Sequence, residues 1–184
     1  MIRHHKKKNM RKLVLFTIVT TFLGFSASAQ YDQGQSDINA GVGFITLGIE
    51  GEGSLPLGLS YDYMILDEIS VGLGFNYLNS EVKLFGEPLY DVTYINIALR
   101  GLYHFDILDP LDTYGGVVLG YTSASYGNFV DDDAENLYSS IDLSAIYYGI
   151  VGGIRYRFLN DQFGVFLEAG YAISPITIGL NASF

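Results

Sequence analysis

The sequence contains no cysteine among its 184 residues. This absence excludes disulfide bonds, thiolate metal ligands, a cysteine nucleophile and a lipid-modified N-terminal cysteine. Basic side chains are also scarce after residue 29, where 4 of the 10 Lys and Arg residues remain beside all 20 Asp and Glu residues. Because nucleic acids are bound by basic side chains that displace phosphate counterions, we expect no nucleic-acid partner.

Residues 1–29 have the three parts of a secretory signal peptide. Basic side chains lie among residues 1–12, an apolar stretch follows at 13–25, and Ser26–Ala29 ends in the small-residue A-x-A cleavage pattern. An uncleaved anchor is the alternative, but the apolar stretch is shorter than the ~20 residues that a spanning helix needs. We therefore predict a cleaved signal peptide over 1–29 and an exported domain over 30–184.

The exported domain shows hydrophobic alternation with a period of two. In residues 69–77 every odd position is large and apolar, whereas the even positions are Ser, Gly or Asn. This alternation places the two kinds of side chain on opposite faces of a strand. Segments of about this length suit tilted strands that cross a bilayer, which need ~9–11 residues each. The eight alternating segments are 38–49, 55–65, 69–77, 93–105, 114–125, 142–158, 163–173 and 176–184.

The nature of the two faces distinguishes a membrane barrel from a soluble one. A soluble barrel or sandwich would leave Gly, Ser and Asn in water, with a single Lys after residue 29 to keep the surface soluble. In a transmembrane barrel the apolar face meets lipid, and small or polar side chains fill the interior. The sequence therefore predicts an all-β fold, an eight-stranded antiparallel up-and-down transmembrane β-barrel.

The connections and the aromatic residues predict which end faces the periplasm. Connections 66–68, 106–112 and 159–162 are short, whereas 78–91 and 126–141 are longer and polar, as periplasmic turns and outer loops are in outer-membrane barrels. Aromatic residues cluster at the predicted periplasmic strand ends, where a girdle at headgroup level is expected. The girdle residues are Tyr61, Tyr63, Tyr103, Phe105, Tyr114, Tyr156, Phe158, Phe163 and Phe184.

The last segment ends on an aromatic residue after regular alternation, with Ile176, Ile178, Leu180 and Phe184 on one face. Together with the signal peptide and the eight segments, this pattern resembles the small outer-membrane β-barrel superfamily of the OmpA/OmpX type. The resemblance implies that these four residues are an assembly signal read by the barrel-assembly machinery. It also implies a monomer in the cell outer membrane, in contact with lipid and lipopolysaccharide.

Few charged residues fall on the inward face. Arg155 and Glu168 are expected to face each other across the turn at 159–162, with Arg157 at the rim. One interpretation is a salt-bridge plug that fixes the strand register, because side chains fill the interior of an eight-stranded barrel. The other is a charged constriction that gates small solutes. The predicted luminal charge layer consists of Asp62, Arg100, Arg155 and Glu168.

We expect neither an enzyme nor a metal or cofactor site. Small outer-membrane barrels that acylate or deacylate lipid A need a histidine base beside a serine, and they act on the outer leaflet. His104 is the one histidine after residue 29, and it is predicted at the periplasmic end. The acidic cluster in the 126–141 connection offers oxygen ligands but lacks the spacing of a calcium loop, so we interpret it as a solvated outer loop. Its residues are Asp131, Asp132, Asp133 and Glu135.

The sequence thus predicts a plugged outer-membrane barrel with a structural or surface-interaction role. The alternative is a narrow channel for small or apolar solutes.

Overall fold

A computed structural model describes residues 32–44, 52–84, 87–108, 111–127, 144–170 and 174–184. The predicted signal peptide and the acidic cluster at 131–135 lie outside these residues. The described residues include no helix long and apolar enough to cross a membrane. Their strands are β1 (Ser36–Gly43), β2 (Glu52–Gly53), β3 (Leu57–Leu66), β4 (Ile69–Leu84), β5 (Glu87–Leu108), β6 (Leu111–Gly127), β7 (Ala145–Phe158), β8 (Phe163–Gly170) and β9 (Ile176–Ser183).

The eight long strands close into an antiparallel barrel. Each of them pairs with its neighbours along the chain, β4 pairs with β5, and the ring closes where β1 pairs with β9. The two-residue strand β2 pairs only with β4, outside this ring. Closure leaves no open edge where the eight strands run side by side, which a sheet in lipid requires because no water is present to satisfy its backbone. The predicted fold is confirmed.

Side chains alternate between the outside and the lumen along each long strand. Leu99 of β5 is 59% exposed, whereas its neighbours Ala98 and Arg100 point inward and are buried. Soluble proteins show the reverse arrangement, and an outward apolar face is that of a barrel surrounded by lipid.

The two ends of the barrel differ. We call the end that carries Ser36 and Phe184 the terminal end; it also holds the turns at 67–68 and 159–162. The opposite end, which we call the loop end, has an uneven height because β4, β5 and β6 extend beyond the other strands. The predicted connection at 78–91 is wrong, since Leu84 pairs with Glu87 in a continuous hairpin. Leu78, Ser80 and Val92 are buried there, so the alternation continues past the predicted strand end.

The aromatic girdle at the terminal end was predicted with one error. Tyr114 is buried, because β6 begins at Leu111 and its even positions face the lumen. The predicted turn at 106–112 is correspondingly too long. The remaining girdle residues are exposed: Tyr61, Tyr63, Tyr103, Phe105, Tyr156, Phe158, Phe163 and Phe184.

Inward aromatic rings lie over glycines on neighbouring strands. Tyr114 is the cross-strand partner of Gly153, and Tyr147 is the partner of Gly120. A Cβ added to Gly153 would lie 2.4 Å from Cζ of Tyr114. These glycines therefore make room in a lumen that is narrow enough to be filled by side chains.

The turn between β7 and β8 contains three consecutive residues with positive φ. Leu159, Asn160 and Asp161 have φ angles of 52°, 55° and 62°. Asn and Asp tolerate this left-handed conformation, whereas an ordinary L-residue such as Leu is strained there by roughly 1–2 kcal/mol. Leu159 therefore occupies an unfavourable position in an otherwise well-matched turn.

Replacing Leu159 by Asn is expected to stabilise the barrel by roughly 0.5–1 kcal/mol, because it relieves left-handed strain at a residue that is 67% exposed. Urea unfolding of the barrel refolded in phospholipid vesicles, followed by circular dichroism, measures this change. Leu66→Asn is the matched control at the same end, since Leu66 is 51% exposed and lies in a strand. Equal effects of both substitutions would contradict the strain argument.

Gly153→Ala is expected to destabilise the barrel by roughly 1–3 kcal/mol, because the new methyl group would overlap the Tyr114 ring. Gly152→Ala is the control on the adjacent outward position, where a Cβ would lie 3.6 Å from the nearest atom, the Tyr114 carbonyl oxygen. The same unfolding measurement distinguishes them. Similar losses in both variants would show that the ring does not limit the space.

Candidate functional site

The terminal half of the lumen holds a buried ion-pair cluster, the terminal cluster, formed by Asp37, His104, Asp112, Arg155 and Arg157. Arg155 is fully buried, and its Nη1 donates a hydrogen bond of 2.8 Å to Oδ2 of Asp37. The same Nη1 lies 3.3 Å from Oδ2 of Asp112. Arg157 Nη2 donates to Asp37 Oδ2 at 3.4 Å. The two arginines balance the two aspartates, as buried charges require.

Asp37 connects the strands on both sides of the closing seam. It lies on β1, and its Oδ1 accepts hydrogen bonds from Ser183 Oγ and, at 3.4 Å, from Asn181 Nδ2, both on β9. Its Oδ2 accepts from the β7 arginines. One carboxylate thus joins the first strand, the last strand and a strand across the lumen.

His104 extends this cluster to β4. Its Nδ1 lies 3.1 Å from Oδ1 of Asp112, and its Nε2 lies 2.9 Å from Oγ of Ser70. The two ring nitrogens of His104 thus link Asp112 on β6 to Ser70 on β4. This order of serine, histidine and aspartate is that of a catalytic triad. Ser70, however, has no exposed surface.

A second cluster, the mid-lumen cluster, lies nearer the loop end and consists of Asp62, Arg100, Tyr114 and Glu168. Arg100 Nη2 donates to Oε2 of Glu168 at 2.7 Å, and its Nη1 donates to Oε1 at 3.4 Å. On its other side, Arg100 Nε lies 2.9 Å from Oδ1 of Asp62. The hydroxyl of Tyr114 donates to Oε2 of Glu168 at 3.1 Å. One guanidinium therefore bridges two carboxylates.

Amide side chains connect the two clusters. Asn39 Nδ2 donates to Oδ2 of Asp62 at 3.1 Å, while its Oδ1 accepts a 3.0 Å hydrogen bond from Asn181. Asn181 in turn contacts Asp37 of the terminal cluster. The polar groups thus form one continuous network that includes a residue from each of the eight long strands.

The structure divides the predicted charge layer between these clusters. Asp62, Arg100 and Glu168 come together in the mid-lumen cluster, whereas Arg155 belongs to the terminal cluster. The expectation that Arg155 faces Glu168 is wrong, because Arg155 lies opposite Phe166. Arg157, one residue before the end of β7, is buried.

Sequence reasoning missed the partners of Arg155. Asp37 precedes the predicted segment 38–49, and Asp112 lies in the predicted turn at 106–112, so neither was assigned to a face. Asp37 lies at an odd position of β1 and Asp112 at an even position of β6, as do the other inward residues of these strands. Extending the alternation by two residues at each strand start would have found them.

A cavity, which we call the vestibule, lies between the mid-lumen cluster and the loop end. Its volume is about 60 Å³, which holds a few water molecules. Arg100, Glu168 and Phe166 lie on its terminal side, and Asn76 and Thr177 contribute polar groups to its wall.

The predicted assembly-signal residues share the outward face of the C-terminal strand. Ile176, Ile178, Leu180 and Phe184 are all exposed on the barrel surface. The predicted acidic cluster of residues 131–133 and 135 lies outside the described residues.

Replacing Asp37 by Asn is expected to reduce the free energy of unfolding by about 3–5 kcal/mol, because it leaves the buried Arg155 without its closest carboxylate. Urea unfolding in vesicles measures the loss. Asp32→Asn, an exposed carboxylate at the same end, is expected to change stability by less than about 0.5 kcal/mol. Equal stability of Asp37→Asn and the wild type would contradict a central role for the seam contacts.

Solved barrels of known fold resemble this chain. The outer membrane protein OprG of Pseudomonas aeruginosa is 17% identical, with a TM-score of 0.62 over 84% of this chain and 97% of that chain. Ail, the attachment invasion locus protein of Yersinia pestis, is 17% identical, with a TM-score of 0.53 over 83% of this chain and 100% of that chain. At such identities the likeness shows the fold alone.

The sequence was also compared with curated proteins and with family models. No curated protein matches it. The family model described as "Outer membrane protein beta-barrel domain" matches residues 15–183. This match spans most of the chain and agrees with the closed barrel and its lipid-facing surface. The protein therefore belongs to the outer membrane protein β-barrel domain family.

Proposed function

We propose that this protein is a monomeric outer-membrane barrel with a structural or surface-interaction role and a lumen that does not conduct. The observation that carries the proposal is the buried polar network, which links the eight long strands and crosses the lumen at two levels. Leu102, at the inward position between Arg100 and His104 on β5, is buried as well, and so is Met64 on β3. A lumen filled in this way favours a plug over a pore.

The proposed orientation places the terminal end in the periplasm and the loop end outside. Short turns at the terminal end support it, as do the start of β1 at Ser36 and the end of β9 at Ser183, which lie there. The proposed route is export by the cleaved signal peptide over 1–29, followed by insertion through the barrel-assembly machinery. The exposed alternating face of β9 supports recognition of the C-terminal segment in that step.

The extension of β4, β5 and β6 beyond the other strands at the loop end supports a surface-interaction role. β5 has 22 residues and β6 has 17, whereas ~9–11 residues suffice to cross a membrane. The extra length raises a ribbon of paired strands beyond the lipid, where it meets lipopolysaccharide or other molecules. The related fold of Ail, an attachment invasion locus protein, is consistent with such a role.

We propose no catalytic role for Ser70, His104 and Asp112. Ser70 is fully buried, and neither Ser70 nor His104 lines the vestibule. A substrate therefore lacks a path to the hydroxyl group, and the triad-like order serves as a hydrogen-bonded link between β4, β5 and β6.

The second candidate is a narrow channel for small or apolar solutes. The vestibule favours it, because this cavity lies on the loop-end side of the mid-lumen cluster and is lined by Arg100. Passage would then require the charged side chains below the vestibule to move.

Conductance across planar bilayers tests the two candidates, after a heat-dependent gel shift has confirmed folding. We expect no discrete steps from the wild type. Arg100→Ala is expected to lower the free energy of unfolding by about 3–5 kcal/mol and to remain silent, because the terminal cluster still blocks the lumen. Leu99→Ala, on the lipid face of the same strand, is the control variant. It is expected to fold and to give no conductance steps.

Reproducible steps from the folded wild type would overturn the plug and establish the channel. Steps from folded Arg100→Ala alone would show that the mid-lumen cluster is a gate.

A further inference from the structure

The mid-lumen cluster holds two carboxyl groups around one cation. Asp62 and Glu168 lie on two sides of a single cation, Arg100, at 2.9 Å and 2.7 Å. In the terminal cluster, by contrast, two arginines meet two aspartates. The level that adjoins the vestibule therefore holds more carboxyl groups than cations.

Glu168 presents its carboxyl group to the vestibule. Its side chain is 19% exposed, whereas that of Asp62 is 1% exposed and does not line the cavity. Oε2 of Glu168 accepts two hydrogen bonds, at 2.7 Å and 3.1 Å, whereas among the described residues Oε1 accepts only the long contact of 3.4 Å from Arg100. Oε1 is thus the acceptor with spare capacity on the floor of the cavity.

The remaining lining suits the other parts of an organic cation. Asn76 and Thr177 offer an amide and a hydroxyl oxygen, and Arg100 is the one cation among the described lining residues. Val118, Val151 and Phe166 line the same space with apolar surface, and the rings of Phe166 and Tyr147 are suited to contact a cation. A bare metal ion makes no use of this apolar surface, whereas an alkyl group does.

We propose that the vestibule is a binding site for a small alkylammonium ion, with Glu168 as its anionic acceptor. The ammonium group donates to Oε1 of Glu168 and to the neutral oxygens of the wall, and the alkyl group lies against the apolar side. The volume of about 60 Å³ limits the ligand to a few heavy atoms.

Titration of the refolded, ¹⁵N-labelled protein in micelles with methylammonium chloride tests this site by NMR. We expect saturable shifts of the Glu168 and Gly170 backbone amides in the wild type, and binding at least 10-fold weaker in Glu168→Gln. Glu81→Gln is the matched control, since Glu81 lies on the outward parity of β4 and outside the vestibule lining. It is expected to bind as the wild type does.

A second variant tests the site without replacing any residue of the mid-lumen cluster. Gly74 lines the vestibule, and a Cβ there would meet only Ala98 atoms, at 4.0 Å, so Gly74→Leu fills the cavity and retains every charge. We expect it to fold and to lose methylammonium binding. Absence of saturable shifts in the folded wild type, or unchanged binding in folded Gly74→Leu, would overturn the site.

Rubidium chloride at equal ionic strength is the second arm of the titration. We expect it to leave methylammonium binding unchanged, because it gains nothing from the apolar wall. Equal binding of rubidium would overturn the alkylammonium assignment.

Discussion

The pairing of Asp37 with the buried Arg155 is the interaction on which the barrel interior depends. The chain must bury charge in a lumen without bulk water, and a buried guanidinium is tolerated only beside a carboxylate. Asp37 lies on the first strand and receives hydrogen bonds from the last strand and from β7. The carboxylate that neutralises Arg155 therefore also hydrogen bonds across the seam between β1 and β9. Burial of the Arg155 charge and closure of the barrel thus depend on the same residue.

The apolar exterior has the same physical cause, because lipid outside the barrel also cannot solvate polar groups. Lipid cannot hydrogen bond, so the outward positions that face it hold mainly Leu, Ile, Val, Tyr and Phe, and the polar side chains that point into the lumen must find partners there. Inward aromatic rings then compete with the polar groups for a narrow space. Glycines opposite Tyr114 and Tyr147 resolve this competition, because they let each ring lie flat against the wall.

The period-two pattern allowed the fold and the face of the residues within the predicted segments to be predicted, but not the contacts across the lumen. Arg155 and Asp37 are 118 residues apart, and they meet because of the tilt and stagger of the closed barrel. Counting residues from strand ends ignores that stagger, which explains why Glu168 was assigned to Arg155. Arg100 and Glu168 were placed at one level correctly, and the structure pairs them at 2.7 Å.

The charged network supplies information that hydrophobic alternation lacks. A one-residue slip between strands would turn every apolar side chain into the lumen, so alternation alone forbids it. A two-residue slip keeps each side chain on its proper face, and alternation permits it. The same slip displaces a strand by ~6.6 Å, which would separate Arg155 from Asp37 and Arg100 from Glu168. The buried ion pairs therefore select one register among those that the lipid-facing pattern allows.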